Sequence, residues 1–418
     1  MFKKINFPIF FLFLFSILLA SCGSPDINSK NIEKAEQPEA KPEKEIPKEI
    51  ITGAQNISAY LPILKEKNIA LVVNQTSMVG KKHLVDALLK LNISVKKIFA
   101  PEHGFRGTAD AGAKIKDGVD TQTGLPVTSL YGKNRKPSKK HLAGIDMVVF
   151  DVQDVGARFY TYISTMSYVM EACAENNIPF MVLDRPNPNG HYVDGPVLDP
   201  KFSSFIGLHK VPVVHGMTMG EYAKMVNGEG WLKNGIKCDL AVIECGNYDH
   251  NSFYELPIKP SPNLPNMHAI YLYPSICFFE GTDISVGRGT DKQFQVLGAP
   301  GIKDGEYEFT PEPKPGAKHP KHEGEVCKGV DLSILNIDGL KNRRSLNLSY
   351  LIDFYKNYEP KKSFFLKNNF FDKLAGTDIL QQQIKAGKTE NEIRESWQKG
   401  LNEFKKIRKK YLLYKDFE

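Results

Sequence analysis

Short, continuous apolar runs alternate with helix-like segments between residues 69 and 243, and this alternation restricts the fold more than any other feature. The predicted strands are 69–73, 95–100, 147–150, 179–183 and 240–243. Apolar residues at helical spacing lie between them, as in the stretch 84–91. Continuous apolar strands that alternate with amphipathic helices are typical of a mainly parallel sheet covered on both faces. The sequence therefore predicts an α/β, doubly wound fold.

The alternation weakens after a proline-rich break at 257–265. The chain ends in a long predicted helix, where Thr389 and Glu392 fit a capping box and an apolar stripe follows. We therefore expect a first domain over 51–280 and a second, smaller α+β domain over 281–418.

The N-terminus resembles a cleaved export signal. Lys3 and Lys4 precede an apolar run, Phe7 to Leu19, that is too short to span a membrane comfortably. The following residues, Leu19-Ala20-Ser21-Cys22, resemble a bacterial lipobox. We interpret 1–21 as a lipoprotein signal peptide and Cys22 as the lipidated residue. An ordinary signal peptide with a chance cysteine is the alternative.

Residues 22–50 combine prolines with alternating lysine and glutamate, which predicts a disordered tether. We expect a lipid-anchored protein of the cell envelope, periplasmic or associated with the outer membrane, whose membrane contact is the lipid alone. The formal charge of +7 falls to +5 without Lys3 and Lys4, which does not indicate a nucleic-acid partner. Five further cysteines are too widely spaced to indicate a disulfide framework or a zinc site.

Polar segments follow four of the predicted strands, at 74–76, 101–107, 151–158 and 184–190. The carboxyl ends of parallel strands line one crevice, where α/β proteins bind ligands. The candidate side chains are Asn74, Glu102, His103, Arg106, Asp151, Gln153, Asp154, Arg158, Arg185 and Asn187. Any single Asp or Asn here fits helix capping equally well. Function is favoured for the set, because arginines and a Glu-His pair are not capping residues.

Several familiar motifs are missing from the sequence. The first strand is not followed by Gly-x-Gly-x-x-Gly, and the chain contains no P-loop, Gly-x-Ser-x-Gly elbow or His-Glu-x-x-His. We therefore expect no cofactor and no metal, with His103 as one ligand of a metal site left as a minor alternative. A glycine-rich run at 279–290 carries Glu280 and Arg288 just after the proline-rich break, where a cleft between domains would lie. A glycine-rich turn with a solvated arginine is the alternative.

Five ordered segments together resemble the bacterial exo-β-N-acetylmuramidase family. They are 101–107, 151–162, 184–190, 261–265 and 279–290. Members of that family remove terminal N-acetylmuramic acid (MurNAc) from peptidoglycan fragments. The resemblance implies a Rossmann-like domain with a smaller C-terminal domain and an active site in the cleft between them. It also implies hydrolysis without an organic cofactor or catalytic metal, acting on peptidoglycan-derived muropeptides or MurNAc-containing oligosaccharides.

Two carboxyl groups usually carry out glycoside hydrolysis, one of them as general acid. Glu102 is our first choice for the acid, because a partly buried carboxyl after an apolar strand can keep its proton near neutrality. His103 would orient or share that proton. Glu280 is the expected partner from the opposite side of the cleft, with Asp151 and Asp154 in reserve. The stereochemical outcome and participation by the substrate's N-acetyl group stay open.

MurNAc also carries a lactyl carboxylate, which an arginine fork binds with two parallel hydrogen bonds. The candidate arginines are Arg106, Arg158, Arg185 and Arg288, some of which pair with aspartates in the alternative interpretation. Tyr160 and Tyr162 are expected to stack on the sugar. Asn74, Gln153, Asp154, Asn187 and Asn263 complete the expected binding set. The rival function is a lipid-tethered muropeptide- or sugar-binding protein without catalysis, while a nucleotide-linked enzyme is disfavoured by the missing glycine fingerprint.

Overall fold

A seven-stranded sheet forms the centre of the protein in the computed structural model, which describes residues 48–105 and 117–418. The strands are β1 (Asn68–Val73), β2 (Met78–Val79), β3 (Lys82–His83), β4 (Ser94–Ala100), β5 (Gly118–Val119), β6 (Pro126–Ser129), β7 (Met147–Asp151), β8 (Phe180–Leu183), β9 (Leu240–Ile243), β10 (Val296–Ala299), β11 (Tyr307–Phe309) and β12 (Cys327–Asp331). The helices are α1 (Ile57–Leu64), α2 (Leu84–Lys90), α3 (Lys139–Leu142), α4 (Tyr162–Glu175), α5 (Met219–Gly228), α6 (Met267–Ile276), α7 (Ile337–Asn342), α8 (Ser349–Asn357), α9 (Phe370–Ala375), α10 (Ile379–Lys385) and α11 (Glu390–Arg408).

The large sheet has the order β5-β6-β4-β1-β7-β8-β9, and only the β5–β6 pair is antiparallel. Its six parallel strands, counted along the chain, follow the 3-2-1-4-5-6 order of doubly wound nucleotide-binding folds. The strand order reverses between β1 and β7, where Val73 pairs with Asp151. The predicted α/β class and Rossmann-like arrangement are confirmed, and the crevice lies at the carboxyl ends of these strands.

Side chains of β1 alternate between two apolar cores, which explains its continuous apolar sequence. Ala70 and Val72 belong to one core, whereas Ile69, Leu71 and Val73 belong to the other. All five are fully buried. Helices therefore cover both faces of the sheet, as continuous apolar strands require.

The C-terminal part contains a small antiparallel sheet of order β10-β12-β11 and the helices α7 to α11. Helix α11 begins at the capping box of Thr389 and Glu392, as expected from the sequence. Its apolar stripe, including Ile393 and Trp397, is buried in the same core as Phe150 of β7. The predicted domain boundary at 280/281 lies within a 3-10 helix, Cys277–Gly281, and the division of the chain there stays a prediction. Among the described helices, none has the length and apolar character needed to cross a membrane.

Candidate active site

A cavity of about 460 Å³ opens between the loops that follow β4, β6 and β7 and the segments that precede β10 and form α9. Seven of the side chains predicted from sequence line it: Glu102, His103, Tyr160, Tyr162, Asn263, Glu280 and Arg288. Further lining residues were not predicted: Tyr131, Arg135, Thr161, Phe205, Tyr273, Phe294 and Lys373. The cavity therefore brings together groups from widely separated parts of the chain.

Glu102 lies two residues beyond β4, and its carboxyl accepts a hydrogen bond from a hydroxyl group. The Thr161 hydroxyl donates to its Oε2 at 2.8 Å. Burial and the charge of Glu102 raise the pKa of the Tyr131 phenol, which lines the same cavity. Tyr131 therefore stays protonated at neutral pH, and Thr161 orients the Glu102 carboxyl at the cavity wall.

His103 is buried, and its backbone adopts a left-handed conformation with φ of 70°. Gly104 follows with φ of 80°, and its N–H donates to the Pro101 carbonyl at 3.0 Å. Positive φ at a residue other than glycine is uncommon and often marks a functional site. This tight turn brings both Glu102 and His103 to the cavity.

Glu280 reaches the cavity from the 3-10 helix Cys277–Gly281 and is paired with Arg288. The Arg288 Nε donates to both carboxylate oxygens of Glu280, at 3.0 and 3.2 Å. Burial tends to lower the pKa of Arg288, but the Glu280 carboxylate outweighs it and the pKa is raised. The second carboxylate of the cavity is thus held in an ion pair.

Lys321 fixes the turn that carries Glu280. Its Nζ donates to the carbonyls of Phe279 at 3.2 Å and Ile284 at 3.0 Å, and also to that of Thr282. Burial lowers the pKa of this lysine. Gly281 closes the turn against α9, since a Cβ there would lie 2.5 Å from the Phe371 backbone nitrogen. The position of Glu280 is therefore set by packing that leaves little room for adjustment.

Tyrosines and amides form another part of the wall. Tyr160 and Tyr162 pack edge to face, with ring centroids 4.9 Å apart. Asn74 does not line the cavity but donates to the Tyr162 hydroxyl at 3.0 Å. The Asn263 side-chain N–H donates to the Gly316 carbonyl at 2.9 Å. Its Oδ1 is buried and has no hydrogen-bond partner within the described residues, so it is an acceptor available to a ligand donor.

The structure places Asp151 and Arg185 outside the cavity, in a buried ion pair with each other. Arg185 Nε lies 2.5 Å from Asp151 Oδ1, and its Nη2 lies 3.0 Å from Oδ2. The same Nη2 donates to the Met78 carbonyl at 3.1 Å. Both groups are thus engaged with each other, and neither lines the cavity where a substrate would bind.

Arg158 is fully buried and binds backbone carbonyls instead of a substrate. It donates to Pro196 and Val211 at 2.8 Å, to Leu374 at 2.9 Å and to Ala375 at 2.7 Å. Burial lowers its pKa to about 9. Arg158 therefore connects the loop after β7 to α9, which contributes Lys373 and Leu374 to the cavity.

Gln153, Asp154 and Asn187 also lie behind the cavity and order its loops. Gln153 donates to the carbonyl of Pro186 at 2.8 Å, and Asn187 donates to that of Met217 at 2.8 Å. Asp154 accepts from the Gly156 N–H at 2.7 Å, and burial raises its pKa to about 7. Arg106 and Cys22 lie outside the described residues.

Tyr131 and Arg135 were missed because the strand before them was missed. Strand β6, Pro126–Ser129, begins with a proline and contains two polar residues, so it lacks the apolar run that marks the other strands. It is nevertheless parallel to β4. Applying the strand-end rule to β6 would have pointed to both residues.

Comparison with known proteins gives consistent similarities along the chain. Residues 69–268 match the family model "Exo-beta-N-acetylmuramidase NamZ, N-terminal", and residues 271–414 match its C-terminal counterpart. A Bacillus subtilis (strain 168) protein named peptidoglycan beta-N-acetylmuramidase NamZ is 40% identical, over 96% of this chain and 97% of its own length.

Two solved structures of DUF1343 family proteins from Bacteroides fragilis NCTC 9343 are also similar. One is 50% identical with a TM-score of 0.82, covering 88% of this chain and 100% of that one. The other is 30% identical with a TM-score of 0.75, covering 88% and 99%.

Proposed function

This chain belongs to the exo-β-N-acetylmuramidase NamZ family, and from this premise we propose that it is an exo-acting glycoside hydrolase. It releases MurNAc from the non-reducing ends of peptidoglycan fragments. The B. subtilis relative is named for the same bond type and polymer. That name does not favour a binding protein without catalysis, which was the rival expected from the sequence.

The observation that carries the proposal is a single cavity lined by two carboxylates, Glu102 and Glu280. Glu102 accepts a hydrogen bond from the Thr161 hydroxyl, and Glu280 is paired with Arg288. Glycosidases use two carboxyl groups in distinct roles, one to protonate the leaving oxygen and one to act as nucleophile or base. We assign the first role to Glu102 and the second to Glu280.

In this mechanism Glu102 donates its proton to the glycosidic oxygen as the bond breaks. Thr161 holds the carboxyl in position, and His103 shares its tight turn. The positive charge that develops on the sugar ring is stabilised by the carboxylate of Glu280. Tyr160 and Tyr162 contact the sugar, and the free Oδ1 of Asn263 accepts a hydrogen bond from a sugar hydroxyl or amide N–H.

We also propose that the protein is tethered to the cell envelope through lipid on Cys22. The support is the signal-like segment, the lipobox and the charged, proline-rich stretch up to residue 50. Attachment by lipid would place the cavity near peptidoglycan, where MurNAc-containing fragments are produced.

The test is incubation of the purified protein with two disaccharides that contain the same two sugars in opposite order. MurNAc-GlcNAc, with MurNAc at the non-reducing end, should be split into free MurNAc and N-acetylglucosamine (GlcNAc). GlcNAc-MurNAc should remain intact. Failure to release MurNAc from the first disaccharide, or equal cleavage of both, would contradict the proposed function.

A further inference from the structure

Arg135 is an exposed arginine at the cavity wall whose charge no acid of the described chain neutralises. Its guanidinium carbon lies 4.3 Å from the centre of the Phe205 ring. No ion pair joins it to a carboxylate within 48–105 or 117–418. Arg288, the other arginine of the cavity, is already paired with Glu280. Among the residues that the structure describes around the cavity, Arg135 is therefore the guanidinium that remains available to an anionic ligand.

The surroundings of Arg135 restrict its guanidinium on the side of Phe205. Phe205 lies against the guanidinium, and Tyr168 stacks on Phe205 with a ring-centroid distance of 6.2 Å and an interplanar angle of 10°. The neighbouring Lys136 pairs with Glu171 at 2.6 Å and with Glu175 at 2.7 Å, both on α4. The loop is thus anchored next to Arg135, which lowers the entropy cost of presenting its planar fork to a ligand.

Arg135 also lines the same cavity as the catalytic carboxyl of Glu102. Tyr131, another residue of this lining, is influenced electrostatically by Glu102, Arg135 and Arg288. A ligand group bound by Arg135 would therefore lie on the sugar whose glycosidic oxygen Glu102 protonates. An anionic group on that sugar is the feature that distinguishes MurNAc from GlcNAc.

We propose that Arg135, held by Phe205, binds the lactyl carboxylate of the terminal sugar and sets the preference for MurNAc over GlcNAc. This inference rests on the proposed function. A guanidinium binds a carboxylate through two parallel hydrogen bonds, a geometry that an ammonium group does not offer. Lys373 also lines the cavity, but as an exposed ammonium it lacks this fork.

The experiment measures kcat/KM for three aryl β-glycosides: the MurNAc glycoside, its lactyl methyl ester and the GlcNAc glycoside. The parent should prefer the free acid. Arg135→Met should lose about 10- to 100-fold on the free acid, as expected for a charge-assisted contact, with little change on the ester or on GlcNAc. Arg135→Lys should not restore the preference. Lys133→Met removes one positive charge from the same exposed loop and is the matched control, which should keep the parent's preference.

Three results would overturn the assignment. The first is an equal loss of all three rates in Arg135→Met, which indicates a structural role. The second is an unchanged preference in Arg135→Met, and the third is loss of the preference in Lys373→Met alone. In each of these cases the parent still cleaves MurNAc glycosides, so the proposed function survives. If the parent cleaves no MurNAc glycoside, the proposed function itself fails and this inference fails with it.

Discussion

Arg158 donates a 2.7 Å hydrogen bond to the carbonyl of Ala375, which lies 217 residues later in the chain. Together with its three other carbonyl contacts, it joins the loop after β7 to α9. We expect Arg158→Met to reduce the free energy of unfolding by about 3 kcal/mol or more, since four buried acceptors lose their donor. Urea denaturation measures this change. Exposed Arg135→Met is the control and should change stability by less than about 0.5 kcal/mol. A similarly small change for Arg158→Met would contradict its structural role.

Lys321 offers a test of how the Glu280 turn is held. We expect Lys321→Met to reduce kcat about 10- to 100-fold while KM changes less, because a small displacement of a catalytic group is costly. Steady-state kinetics on the MurNAc-GlcNAc disaccharide separates the two constants. Lys314→Met is the control, since within the described part of the chain Lys314 forms an ion pair only with the exposed Asp291. An unchanged kcat in Lys321→Met would show that the lysine does not position Glu280.

The raised pKa of Asp154 leads to a prediction about how stability depends on pH. Burial raises its pKa to about 7, so the folded state binds a proton that the unfolded state releases above about pH 4. Stability should therefore fall as pH rises from about 4 to 7, by at most about 1.4 kcal/mol per pH unit, and level off above that range.

Asp154→Asn should remove this part of the pH dependence. Burial also raises the pKa of Asp184, to about 6. Asp184 makes the same contribution to the pH dependence in the parent and in the variant, so it cancels when their unfolding free energies are subtracted. Unfolding free energies of parent and variant, measured from pH 5 to pH 8, give the comparison. A constant difference between the two curves would show that Asp154 does not titrate in this window.

The proposed lipid anchor is tested by Cys22→Ser. We expect the variant to be released from membranes by mild washing, because lipid chains provide the binding energy for anchoring. Fractionation followed by immunoblotting measures the distribution. Equal retention of variant and parent in the membrane fraction would rule out Cys22 as the anchor.

The fold was predictable from sequence because five of the parallel strands are mostly apolar. The prediction also located the crevice, because Val73 and Asp151 pair at the ends of β1 and β7, where the crevice begins. Strand β6 was not predictable in this way, since its sequence, Pro126–Ser129, is short and half polar. Because β6 was not predicted, Tyr131 and Arg135, which follow it and line the cavity, were not predicted either.

The site was only partly predictable because sequence does not show which polar groups satisfy one another. Arg158, Arg185 and Arg288 occur in similar polar segments, yet the structure gives them three different partners. Arg158 binds carbonyls, Arg185 binds Asp151 and Arg288 binds Glu280. These choices depend on contacts between residues far apart in the chain, which periodicity and motif spacing do not report.

The central claim, that Glu102 is the general acid, is tested most directly by the leaving-group dependence of Glu102→Gln. The variant should lose about 10²- to 10⁴-fold in kcat on the MurNAc-GlcNAc disaccharide, whose leaving oxygen needs a proton. It should lose far less on a dinitrophenyl β-MurNAc glycoside, whose leaving group departs without one. Equal losses on both substrates, or nearly full activity on the disaccharide, would contradict the assignment of Glu102.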